Sequence, residues 1–88
     1  MTEIRRGTAV RSRAGHDRGR WFAVLGIEGK NALISDGENR PIEKSKKKNI
    51  MHLSAANTVF DEETVSDNTK LKKALKLRFG GASEKGDD

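Results

Sequence analysis

Two clusters of cationic side chains dominate the chemistry in this chain. The first lies in Arg11-Ser12-Arg13-Ala14-Gly15-His16-Asp17-Arg18-Gly19-Arg20, where two glycines four residues apart interrupt a polar, arginine-rich segment. Glycine in such a loop adopts dihedrals closed to other residues and leaves no Cβ between the main chain and an approaching anion. Gly15 and Gly19 are therefore expected to offer amides to a phosphate. Arg13, Arg18 and Arg20 flank that approach, and the planar fork of arginine suits two-point contact with phosphate oxygens. Arg11, just upstream, and His16, inside the loop, complete this candidate set. Asp17 has the wrong sign for a phosphate contact; it is expected to accept local backbone amides or to orient a neighbouring arginine. The second cluster is Lys44, Lys46, Lys47 and Lys48, with Arg40 leading into it. It should act through summed charge, with little from any single lysine. The competing account is a solvated loop held off the domain by its own repulsion.

Other reactive residue types are sparse. Trp21, the only tryptophan, lies beside the basic loop. It either stacks on a splayed base or, as the simpler expectation, closes the core. His16 is a candidate phosphate or base contact, whereas His52 reads as a strand residue. Two histidines without cysteine make a poor zinc set, so neither a metal nor another cofactor is expected. The chain lacks a Gly-x4-Gly-Lys-Ser/Thr phosphate loop and a cysteine nucleophile. Asp61-Glu62-Glu63 reads as a solvated segment leading into a helix. A core this small leaves little room for a small-molecule pocket. The expectation is a binding protein rather than an enzyme.

The elements that must position these residues are small. Eighty-eight residues, 33% of them hydrophobic, allow one domain with a modest core. Residues 1–54 carry twelve Lys/Arg against six Asp/Glu, and residues 55–88 carry six against seven, so the net charge of +5 originates in the first part. The excess points to a polyanionic partner, the competing account being a lysine-rich surface that keeps a small protein soluble. No apolar run approaches the roughly 20 residues needed to span a bilayer. The N-terminal Met-Thr-Glu-Ile-Arg-Arg has no apolar stretch behind its arginines, and cytoplasmic localisation is expected.

Short strands are expected at Thr8–Arg13, Trp21–Ile27, Ala32–Ile34, Asn39–Ile42 and Ile50–Leu53. Gly26 marks a bulge or bend, Glu28-Gly29-Lys30-Asn31 a hairpin turn and Asp36-Gly37 another, with Glu43–Asn49 a charged loop. Residues 55–65 read as a linker. From Ser66 or Asp67 to Phe79 the spacing of Leu71, Ala74, Leu75 and Phe79 is helical, with Ser66 or Asp67 as N-cap and Gly80-Gly81 as stop. Leu77 falls among the lysines of the polar face. Residues 80–88 read as a disordered tail. Such strand spacing suggests a small all-β barrel or sandwich, closed to limit its edges.

The segment from Val10 to Val24 resembles a KOW motif: a strand, a basic loop of the form Gly-x-Asp-Lys/Arg-Gly-Lys/Arg, and a second strand. Together with Asp36-Gly37, Arg40, Lys46-Lys47-Lys48 and Ile50-Met51-His52-Leu53, it resembles bacterial KOW-domain RNA-binding proteins similar to ribosomal large-subunit proteins of archaeal and eukaryotic type. The similarity covers about residues 6–54. The general motif often carries another glycine shortly after its second basic residue. Here Trp21-Phe22 stand there, as in the ribosomal-protein-like branch rather than the transcription-factor branch. Residues 55–79 carry no signature of the family. The resemblance implies a mostly β fold, a five-stranded SH3-like (KOW-type) barrel at residues 1–54 followed by one C-terminal helix. It also implies RNA, ribosomal RNA first, as ligand, ribosomal proteins as further partners, and a role in ribosome structure, assembly or translation. A protein-interaction module of a transcription or translation complex would instead expose an apolar patch. A DNA-binding module would use the same phosphate contacts. RNA binding requires Arg13, Arg18, Arg20 and Lys46 to Lys48 to converge on one side.

Overall fold

The structure, a computed structural model, describes residues 4–79. Five antiparallel strands form one sheet: β1 (Thr8–Ser12), β2 (Trp21–Glu28), β3 (Asn31–Ser35), β4 (Lys46–Asn49) and β5 (Leu53–Val59). Two helices follow, α1 (Glu62–Val65) and α2 (Asn68–Phe79). The strand order is β4-β3-β2-β1-β5, which leaves β4 and β5 as separate edges.

The expected SH3-like barrel is therefore overturned: the sheet is open. Closure would require a ladder between β4 and β5. The chain instead passes from one to the other through a single 3-10 turn, Ile50–His52, capped by the Asn49 side chain accepting from the Met51 amide. An open sheet has two faces to cover, and each has its own apolar cluster. On one face Val10, Phe22, Val24, Ala32, Ile34 and Leu53 pack together. On the other, Ala23 meets Val65, Leu71 and Leu75 of the helices, with Trp21, Leu25 and Phe79 around them. Helices thus cover the second face of the sheet.

Alternation along β2 produces both clusters, with Phe22 and Val24 facing one way and Trp21 and Ala23 the other. The bulge expected near Gly26 is present, because the register with β3 shifts between Val24 and Gly26. The hairpin turn at Gly29-Lys30 also forms, with Glu28 opposite Asn31 and Gly29 at φ +61°.

Three other expectations change. Asn39–Ile42 is not a strand. Asp36 accepts the amides of Glu38 and Arg40 on its side chain, and Ser35 donates to the Arg40 carbonyl, so the segment folds into a local loop. Its return strand is β4, which occupies most of the expected charged loop 43–49. Ile50–Leu53 is mainly the 3-10 turn, and β5 runs on to Val59 through the first part of what reads as a linker. The rest of that linker contains α1, whose N-cap Asp61 accepts from Thr64 at 2.9 Å, so there are two helices rather than one. Arg6 grips Glu62 with two hydrogen bonds of 2.8 and 2.7 Å and holds its carboxyl down at about 2.

The second helix follows its sequence pattern closely. Asp67 accepts the Lys70 amide as N-cap, Leu71 and Leu75 are buried, and Leu77 is 87% exposed. Gly80-Gly81 and the tail 80–88 lie outside the described residues.

Candidate nucleic-acid interface

The glycine loop between β1 and β2 is tied together from within. Gly15 and Gly19 both sit at φ +86°, the left-handed region that favours glycine. The Gly19 amide donates to Ser12 at 2.8 Å, and the Arg18 and Arg20 amides donate to Gly15 and Asp17. The expectation that Gly19 offers its amide to a phosphate is therefore corrected: that donor already closes the loop. The loop's outward chemistry lies in its side chains.

Asp17 is the hinge of the site, and in a way its sequence neighbours do not suggest. Its carboxylate accepts from Ser12 Oγ at 2.8 Å, Lys48 Nζ at 2.9 Å and Lys46 Nζ at 3.0 Å. It does not orient an arginine; it pairs with two lysines about thirty positions downstream. Burial alone would push this carboxyl upward. The hydrogen bonds from Lys48, Ser12 and Lys46, with the Lys48 charge, outweigh that and hold it well below the usual range.

These bonds dock the lysine cluster against the glycine loop. Lys48 is the most deeply engaged, its side chain 9% exposed and its ammonium also donating to the Ala14 carbonyl at 2.7 Å. A Cβ on Gly15 would stand 3.3 Å from that ammonium, so glycine here also makes room for the lysine. Lys46 is 28% exposed and reaches both Asp17 and solvent. Because β4 is a strand, Lys47 points the other way and pairs with Glu28 at 3.4 Å. The three consecutive lysines thus have three different situations: structural, bridging and opposite-facing.

A cleft of about 240 Å³ opens where the loop, β4 and the β3–β4 connection meet. Of the expected residues, His16, Arg20, Arg40 and Lys46 line it, and the carboxylate-bearing Asp17 lines it beside them. Phe22 and Asn39 complete the lining and were not anticipated. Asn39 carried no signal, because it fell in a presumed strand. Phe22 was legible only as a core residue. Arg13 and Arg18 are exposed on the same loop. Lys44 is exposed in the 3-10 turn Ile42–Lys44 and does not line the cleft. Arg11 stands opposite Trp21 in the β1–β2 register and so on the helix-bearing face.

Lys46 and Lys48 pair with Asp17, Lys47 with Glu28, Lys70 with Glu63 and Lys72 with Glu38. Among the described residues, Arg11, Arg13, Arg18, Arg20 and Arg40 form no salt bridge. Four of these, all but Arg11, lie in the glycine loop or at the cleft.

The helix fixes the cleft's far wall. Asn68 Oδ1 accepts from the Ile42 amide at 2.8 Å, and its Nδ2 donates to Glu43. Gly37, at φ +76°, lies so close that a Cβ there would stand 2.4 Å from the Asn68 carbonyl oxygen. The loop carrying Asn39 and Arg40 is therefore clamped onto the start of α2. Trp21 joins the other end, its indole stacked on Phe79 with centroids 3.8 Å apart and planes 4° from parallel.

No family model matches this chain, and none of the curated proteins compared with it matches either. No helix among the described residues is long and apolar enough to cross a membrane.

Proposed function

We propose that this chain binds RNA, with ribosomal RNA the favoured target, as a cytoplasmic protein associated with ribosome structure, assembly or translation. The observation that carries this reading is the set of arginines, Arg13, Arg18, Arg20 and Arg40, that form no salt bridge among the described residues and stand at the glycine loop and the cleft. An arginine left without a carboxylate keeps its full fork for phosphate oxygens. Asp17 leaves its two lysines with one net positive charge, so the organising carboxylate does not cancel the field. The large exposed apolar residues Ile27, Met51, Val59 and Leu77 come from four separate elements, which favours a charged ligand over an apolar partner surface. The likeness of the Gly15–Arg20 segment to a KOW loop points the same way.

The test is Arg18→Glu combined with Arg20→Glu. Both side chains are exposed, so the fold should survive. RNA affinity at physiological salt should fall at least tenfold, with a shallower dependence on salt because fewer counterions are released. Unchanged affinity would refute the assignment.

A further inference from the structure

We infer that the cleft seats one unpaired nucleotide, so that the RNA recognised is single-stranded or looped rather than a continuous duplex. This rests on the RNA-binding reading above and adds the form of the ligand. The first ground is shape. A duplex keeps its bases stacked inside and is met through its phosphates and 2′-hydroxyls, whereas a single-stranded or looped RNA can splay out a base for a protein to seat. Here Arg20, Arg40 and Lys46, with Asp17 already paired to the lysine, instead line a concavity of about 240 Å³, below the roughly 300–1,000 Å³ usual for drug-sized ligands. A single base with its phosphate is the nucleic-acid unit that such a recess admits.

The second ground is the mixture of side chains. A site for phosphate alone needs only cations. This one also contains His16, Arg20 and Arg40, each with a flat π-surface suited to stacking on an extruded base. Asn39 is the remaining element. Its carboxamide has no hydrogen-bond partner among the described residues, it carries no charge, and it stands beside the arginines. A carboxamide offers one acceptor and two donors, the complement of a base edge rather than of a phosphate. The backbone of the loop that presents it is held by Asp36 and by Asn68, while the exposed carboxamide itself stays free to turn toward a base edge. Lys46, tethered to Asp17 yet open to the cleft, then serves the attached phosphate.

The experiment compares two labelled RNAs of equal length and phosphate number by fluorescence anisotropy: a perfect duplex and a hairpin with an unpaired loop. Homopolymeric single strands of A, C, G and U complete the set. The full chain should prefer the looped RNA at least fivefold and discriminate among the homopolymers. Asn39→Ala should draw the preferred homopolymer toward the others. Arg40→Ala should reduce the slope of log affinity against log salt by about 0.7, one single-strand phosphate. Equal affinity for duplex and loop, with Asn39→Ala leaving base preference unmoved, would overturn the nucleotide cleft while RNA binding stood. Failure to bind any of these RNAs at physiological salt would instead remove the function proposed above, and the cleft assignment with it.

Discussion

Replacing Asp17 with asparagine keeps the shape of the side chain and removes one charge from a nearly closed network. The carboxylate is 10% exposed and faces two ammonium groups, those of Lys48 and Lys46. Asparagine retains one acceptor oxygen, but its amide end donates, so one lysine would face a donor at hydrogen-bond distance. Breaking a buried ion pair from one side costs about 3–5 kcal/mol. Two features reduce the figure here. Lys48 keeps the Ala14 carbonyl, and Lys46, more than a quarter exposed, can turn to water. A loss of about 2–3 kcal/mol follows, or roughly 10–20 °C in Tm for a domain of this size. Urea and thermal unfolding followed by fluorescence of the single tryptophan would measure it. Asp17→Asn with Lys48→Met should recover part of the loss, since methionine fills the lysine stem's space without its charge. Lys47→Met, whose exposed partner is Glu28, should move stability by less than about 0.5 kcal/mol. The pH dependence has a definite sign. The folded carboxyl lies below its ordinary 3.8, so its stabilisation is complete above that value and fades as pH falls further. The gap between parent and Asp17→Asn should therefore narrow below pH 3.8. A variant as stable as the parent at pH 7, or single effects that simply add, would refute the network's role.

Two other perturbations test how the helix holds the site. Gly37→Ala puts a Cβ against the Asn68 carbonyl at a positive φ, and should cost about 2 kcal/mol or more. Gly29→Ala, also at positive φ but in open space, should cost only about 1 kcal/mol in the same denaturation assay. Equal costs would show that the contact between the β3–β4 connection and α2 is unimportant. Phe79→Ala removes the ring stacked on Trp21 and should destabilise by about 1–3 kcal/mol. The tryptophan emission should shift to the red in the folded state, and an unshifted spectrum would show that the stack does not exist in solution.

Elements whose burial is written into their own residues were legible. Trp21–Ile27 is an apolar run rich in β-favouring residues, and Leu71, Leu75 and Phe79 repeat at helical spacing, so both elements were expected near where they occur. The glycine loop was equally plain, because two positive-φ positions in a polar run demand glycine. β4 was hidden for a physical reason. Its inward positions are Lys46 and Lys48, which face a carboxylate rather than apolar groups, so the strand shows no hydrophobic alternation. β5 was hidden because, after Leu53, it is made of small and polar residues that pair with β1 and add little to the core.

From the chain's residues alone come the excess of positive charge before residue 55, the basic glycine loop and the amphipathic helix, because each depends on residue type and local spacing. Tertiary structure alone decided three things. The sheet stays open with helices across one face, the lysine triplet is divided between Asp17 and Glu28, and Arg20, Arg40, His16 and Asn39 share one cleft. Strand pairing and ion pairs between residues thirty apart depend on how the whole chain closes its loops, and no local pattern records that outcome.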